Sequence, residues 1–307
     1  MPEIGLVRFA ATALQVGQAV LPRYRTKFSK RQFTQPQLLA VLCLMRYEDW
    51  TFREAEVRLA EHVELRRVLQ LGAVPDYTTL YRFLKRLDPN EIGQVLDEVV
   101  RRMGGKRRGR TIALDATGLA KGRISSYFIR RTQEFTGQPT SRRHWLKWLA
   151  VVDVDQQLIL AQDARQAPWN DCASLPRLVG RAACNVRVQR VLADAEFDSE
   201  RNHTFVREEL NAESIIPAKR RSSLPASGVR ARMRAKFPQR RYCRRNLIES
   251  VFSTTKRKLS CRAPGHSLHT QVRQALLLGL TFNLYRLRRP CQRLAGCQQS
   301  HSSFEGG

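Results

Sequence analysis

Acidic side chains are scarce: 27 Asp and Glu face 54 Lys and Arg in 307 residues, a formal net charge of +27. Between residues 219 and 245 there is no acid at all. Positive charge on this scale predicts a polyanionic partner, most simply nucleic acid. No basic amphipathic segment stands apart from a globular pattern, so an anionic membrane is set aside. Long apolar runs are missing too. The longest strongly apolar stretch, residues 275–280, is much too short to span a bilayer, and the first residues lack a signal-peptide pattern. The seven cysteines include no Cys-x-x-Cys pair, which fits free thiols in a reducing cytoplasm rather than a disulfide framework. Cys291, Cys297 and His301 lack a fourth zinc ligand at a familiar spacing, so zinc is set aside. What remains is ordinary globular material, 42% hydrophobic and 26% charged, enough for one large or two smaller domains.

Residues 1–103 read as an N-terminal helical, DNA-binding domain. Thr34-Gln-Pro-Gln opens one helix, Thr51-Phe-Arg-Glu54 is a capping box before a second, and Asp88-Pro-Asn-Glu91 caps another. Between them Asp76 or Thr78 can cap a short basic helix bearing Tyr81, Arg82, Lys85 and Arg86. Two helices, a turn and a short cationic helix suggest a helix-turn-helix reader, the alternative being a plain bundle with a basic surface. Residues 104–110, glycine-rich and basic, form a linker. Beyond it the periodicity turns strand-like at 111–117, 145–153, 158–162, 188–194 and 213–217, with helical patterns at 175–183 and 200–210. Three strands, then helix, strand, helix, strand and helix, is the order of a mixed sheet flanked by helices. A final helix, 267–287, spaces Leu268, Val272, Leu276, Leu280 and Leu284 four apart as core residues. Residues 290–307 look like a disordered tail.

The stretch from Tyr242 to Lys256 has no Gly or Pro and reads as one helix. At roughly 100° per residue, Tyr242, Arg245, Glu249 and Lys256 fall within an arc of about 60°. Ile248, Phe252, Thr255 and Leu259 form the neighbouring face, fit to pack on a sheet. Just upstream lie Lys219, Arg220, Arg221, Arg230, Arg232, Arg234, Lys236, Arg240, Arg241, Arg244 and Arg245, a block suited to gripping a phosphate backbone or simply to solvation. Two further acids end strands: Asp115 the first and Asp194 the fourth. An Asp there is commonly a turn residue. Strand alternation cannot choose between Asp194 and Glu196, which share a face, and Asp198 follows them.

The spacing Tyr242-(2)-Arg245-(3)-Glu249-(6)-Lys256 resembles the signature of a large group of bacterial insertion-sequence transposases of the DDE type. The resemblance implies an α/β fold, an RNase H-like mixed sheet flanked by helices, at 111–289, beside the N-terminal all-α domain. It selects Asp194 as the second acid, and makes Asp115, Asp194 and Glu249 the metal ligands and catalytic triad. Tyr242, Arg245 and Lys256 would contact transposon-end DNA, with Arg241, Arg244, Arg82, Lys85 and Arg86 as further DNA-binding cations. The chain departs from the family at Glu196-Phe197, where Gly-Tyr is common. The implied cofactor is a pair of Mg²⁺ ions, for which Mn²⁺ can substitute, because three carboxylates and a phosphate suit a hard cation. The implied reaction is cleavage at insertion-sequence ends and attack of the freed 3′-hydroxyl on target DNA. The expected partners are double-stranded DNA, as terminal inverted repeats and target, and a second copy of the chain in a synaptic complex, with no membrane. The expected setting is a bacterial cytoplasm, at the nucleoid. The alternatives are a repurposed transposase that only binds DNA and, third, a nuclease of the same fold without strand transfer.

Overall fold

The computed structural model describes residues 5–28, 30–104, 109–120, 134, 145–166, 170–219 and 228–287. The expected tail, Cys291, Cys297, His301, Arg220 and Arg221 lie outside these residues. Helices come first: α1 (Leu6–Val20), α2 (Gln35–Glu48), α3 (Phe52–Glu61), α4 (Val63–Val68), α5 (Tyr77–Arg86) and α6 (Pro89–Arg102). Thr34, Thr51 and Asp88 each close a capping box, with Gln37, Glu54 and Glu91, so the starts of α2, α3 and α6 follow from local chemistry. At α5 the choice of cap falls on Asp76, which accepts from the Thr78 amide at 2.7 Å. Neither α1 nor α4 was anticipated. The α1 signal was there, in Phe9, Ala10, Ala13, Leu14 and Gly17, all buried and three or four apart.

The sheet has five strands in the order β3-β2-β1-β4-β5: β1 (Arg110–Ala120), β2 (Trp145–Asp153), β3 (Leu158–Gln166), β4 (Val188–Ala193) and β5 (Glu213–Ile215). β1, β2 and β3 form an antiparallel meander, while β4 and β5 add in parallel on the other side of β1. The crossovers run through α7 (Leu175–Asn185) and α8 (Glu200–Thr204), the latter continuing as a π-helical turn, Phe205–Glu209. Then come α9 (Gly228–Ala235), α10 (Gln239–Tyr242), α11 (Leu247–Lys258) and α12 (Leu268–Leu287).

Period-two alternation divides β1 between two cores. Ile112 and Leu114 join the apolar cluster of α7, while Ala113 and Leu119 join the one that holds α11, α12 and the N-terminal helices. α12 is buried nearly all round from Arg273 to Tyr285, as a helix must be when the sheet covers one side and a helical layer the other. Its amides are matched to the edge strand: Asn283 exchanges two hydrogen bonds with Ile159, at 3.0 and 2.7 Å, and Gln162 donates to the Leu276 carbonyl. One expected core position fails: Leu268 is 43% exposed, because the helix begins outside this layer.

The signature stretch is not one helix. α10 ends at Tyr242, a 3₁₀ turn covers Cys243–Asn246, and α11 starts at Leu247 without a side-chain cap. Arg240 and Arg244, and Arg241 and Arg245, would stand as like charges at i, i+4 in a continuous α-helix, which disfavours it. The tighter turn nearly eclipses residues i and i+3, and the Arg245 guanidinium lies 5.7 Å from the Tyr242 ring. The expected apolar face of α11 is present. Ile248, Phe252, Thr255 and Leu259 are buried, and Phe252 packs on Trp148 with ring centres 5.3 Å apart.

Candidate active site

The register of β1 and β4 builds the site. Leu114 pairs with Ala193 in parallel, so Asp115 and Asp194 follow side by side at neighbouring strand positions. By alternation Asp115 shares a face with Ala113, and Asp194 with Leu192, both on the α11 side of the sheet. Each carboxylate is turned onto the next amide: Asp115 accepts from Ala116 at 2.8 Å and Asp194 from Ala195 at 2.5 Å. Glu249, in the first turn of α11, comes from across the same face. Arg245 joins them, donating to Asp115 at 2.5 Å and to Glu249 at 3.2 Å.

The electrostatics agree with this clustering. Burial raises the Asp115 carboxyl above the usual range, and nearby Asp194 adds to it, against the Ala116 amide and Arg245. Burial alone would lower the Arg245 guanidinium, but Asp115, Tyr242, Asp194 and Glu249 together raise it. Tyr242 is raised by burial, with Asp194 and Asp115 adding to the shift. Lys256, half-buried, donates to Thr117 Oγ1 at 2.6 Å, and desolvation lowers its pKa. Thr117 is the next residue on Asp115's face of β1, a partner that alternation could have flagged.

The ambiguity among the three acids after β4 is resolved by the chain's path. It leaves the strand at Ala193 and enters a 3₁₀ turn, Ala195–Phe197, so Glu196 does not stay on Asp194's face. Glu196 lies mostly in solvent, 3.8 Å from Lys219. Asp198 is fully buried and holds Arg230 of α9 through two oxygens, at 2.9–3.1 Å, while also accepting from the Lys219 amide. It contacts His203 at 3.7 Å, and His203 in turn meets Ser214 at 2.7 Å. This anchor was missed in the sequence, since nothing local marks Asp198 as paired with a residue 32 positions away.

The expected DNA-binding cations divide. Arg241 pairs with Glu213 at 2.6 Å, Arg244 with Asp155, and Arg245 with the acids above, so these are not bare. Arg82, Lys85 and Arg86 are exposed on α5 and make no ion pair among the described residues.

The oxygen-only set Asp115, Asp194 and Glu249 suits a hard divalent cation, and two of the three, Asp115 and Glu249, meet on one guanidinium. Among the described residues, no three metal-ligating side chains stand close enough together to hold an ion as they are placed. Arg245 lies between two of them, Asp115 and Glu249.

A mixed five-stranded sheet flanked by helices, with acids side by side at the adjacent central strands, Asp115 within β1 and Asp194 just past β4, and a third on the facing helix, is the RNase H-like architecture of metal-dependent nucleases and transposases. The chain belongs to the transposase family whose model is described as "Transposase DDE domain", which matches residues 106–284. The family uses divalent metal ions and acts on DNA. No curated protein and no solved structure matches the chain. No described helix is long and apolar enough to cross a membrane.

Proposed function

We propose that this transposase cuts DNA at the ends of its element and joins the freed 3′-hydroxyl to target DNA, with Asp115, Asp194 and Glu249 as its catalytic carboxylates. The observation that carries the reading is the gathering of Asp115 and Glu249 on Arg245, with Asp194 beside Asp115 in register. Two Mg²⁺ ions, held by these carboxylates, would supply an activated oxygen nucleophile and charge relief on the leaving oxygen. The chain's own groups do the rest. Arg245 keeps the carboxylates from repelling one another before substrate binds, then is free to make paired hydrogen bonds to a phosphate. Lys256, already aligned by Thr117, meets the next phosphate as a compact cation, and Tyr242 flanks Arg245. Two DNA ends require two copies of the chain, in the cytoplasm where the chromosome lies. The domain division at 104–110 belongs to the same proposal, with the N-terminal helices reading the end sequence and α5 laying its cations on the backbone.

The test is a supercoiled plasmid carrying the cognate ends, incubated with the full chain and Mg²⁺. Excision with joining to target is expected. Nicking without joining would reduce the protein to a nuclease, and a gel shift with no cutting would leave only a DNA binder. Asp115→Asn is expected to lower cutting by about 10²–10³-fold, the scale of losing one charge-stabilising group, with DNA binding retained. Loss of binding and cutting together would make Asp115 structural.

A further inference from the structure

No Asp or Glu stands between Glu3 and Glu48, while the loop from α1 to α2 carries Arg23, Arg25, Lys27, Lys30 and Arg31. That loop folds beside α5, and a cavity of about 470 Å³ opens between them. Arg23, Arg25 and Lys30 line it from the loop, Arg82 and Arg86 from the helix, and no carboxylate lines it at all. All five cations are exposed, and none makes an ion pair among the described residues.

The loop is fastened, but not by charge. Gln35, opening α2, donates its backbone amide to the Arg23 carbonyl at 2.9 Å and its side-chain nitrogen to the Pro22 carbonyl at 3.2 Å. Across the loop the Tyr24 hydroxyl donates to the Arg31 carbonyl at 3.3 Å. Arg25 reaches α5, donating to the Arg86 carbonyl at 2.6 Å. That carbonyl is at the helix C-terminus, where carbonyls lack intrahelical partners and the dipole favours a cation. Each of these ties ends on a neutral group, so the loop is held against α5 with its positive charge left over.

The leftover charge converges. Arg82 and Arg86 stand one helical turn apart, about 6 Å along the axis, and like charges at that spacing repel. Arg23 and Lys30 on the opposite wall add to the repulsion, which an anion inside the cavity would relieve. To meet cations on both walls it must carry several charges, as successive phosphates of a DNA strand do. Phe28, 84% exposed, lines the same cavity and offers an apolar face that a deoxyribose would cover. The first turn of α5, the part of a recognition helix that would reach base edges, lies outside this cavity. Contact here is therefore with phosphate and sugar, which carry no sequence information directly.

We propose that the α1–α2 loop and α5 form a two-walled clamp on one strand of duplex DNA, gripping its phosphates whatever the sequence. Arg23, Lys30, Arg82 and Arg86 are the phosphate ligands, and Arg25 is the positioning residue that holds the loop wall to the helix wall. The inference rests on the reading of the chain as a transposase acting on DNA, and adds to α5 a partner from elsewhere in the chain.

The test measures binding of the full chain to two duplexes, one with the element's end sequence and one unrelated, over a range of salt. The variant Arg23→Ala/Lys30→Ala leaves α5 intact. It is expected to lower affinity about 20-fold at 0.1 M salt on both duplexes, keeping their ratio, and to reduce the log–log salt slope by roughly 1.8. Lys27→Ala/Arg31→Ala removes two cations of the same loop that do not line the cavity, and should shift the slope less. A melting temperature within the range of the unaltered chain checks that each variant is folded. An unchanged slope for Arg23→Ala/Lys30→Ala overturns the proposal, as does a loss confined to the end-sequence duplex, which would make the loop a base reader. An equal shift from Lys27→Ala/Arg31→Ala also overturns it, since a diffuse field would then replace the clamp. Inorganic tripolyphosphate that binds more tightly than either duplex, and loses affinity in Arg23→Ala/Lys30→Ala, would make the occupant a free polyphosphate and overturn it too. If the unaltered chain binds neither duplex, the DNA reading itself falls, and the clamp with it.

Discussion

Two cationic regions among the described residues are built differently. On α5, Arg82, Lys85 and Arg86 face solvent with no ion pair among the described residues. Between α9 and α11 the sequence is denser in cations, yet Arg230, Arg241, Arg244 and Arg245 are bound to Asp198, Glu213, Asp155 and Asp115. On the proposed reading the first region meets phosphate as it stands, whereas Arg241, Arg244 and Arg245 would have to give up carboxylate partners to do so, and Arg230 stays with Asp198 as an internal anchor. Sequence charge density therefore overstates the free positive surface near the acids and understates how well that surface is ordered. The acids that neutralise the block come from elsewhere in the chain, in the case of Arg245 and Asp115 from 130 residues away.

If that contrast is right, cutting an internal pair damages the fold and cutting the free cations damages only binding. Asp198→Ala should have the largest effect. It leaves Arg230 poorly compensated in a buried setting, and is expected to lower folding stability by about 3–5 kcal/mol in denaturant titration. An unchanged midpoint would mean that the anchor is decorative. Replacing Arg82, Lys85 and Arg86 together by Ala should leave the fold intact. It should lower DNA affinity about 10²-fold at 0.1 M salt and reduce the log–log salt slope by roughly 2.7. A slope that does not move would place the DNA elsewhere.

A smaller effect should follow pH. Burial lowers the His203 pKa from 6.5, against the pull of Asp198 and Glu200. The unfolded chain then binds a proton that the folded chain refuses, so this contribution is complete above about pH 6.5 and fades as pH falls below it. Melting temperature should decline on acidification through that window, and His203→Gln should flatten the decline. The smallest effect belongs to Arg244→Ala. Its pair with Asp155 is exposed on both sides, 41% and 54%, and its loss should cost under about 1 kcal/mol of stability.

Much of the fold was legible because local chemistry fixed it. Capping boxes marked the starts of α2, α3 and α6, and alternation located β2 at Trp145–Asp153. Of the three acids, Asp194 stands where expected, just past β4, and Glu249 on the helix facing it, whereas Asp115, expected at the end of its strand, lies inside β1, because pairing with β2 carries that strand on to Ala120. The rest depended on contacts that a linear pattern does not carry. Whether Glu196 stays beside Asp194 depends on where β4 stops, and whether Tyr242 and Glu249 share a helix depends on arginines that repel at i, i+4. Leu268 keeps the four-residue spacing of core positions but lies beyond the layer that would cover it.

The central claim is that Asp115, Asp194 and Glu249 hold metal together. Fe²⁺ supplied in place of Mg²⁺, with ascorbate and peroxide, cleaves a polypeptide backbone beside the iron it binds. The account predicts cuts next to all three residues at once, suppressed by excess Mg²⁺. Cuts beside one of them alone, or beside none, would contradict it.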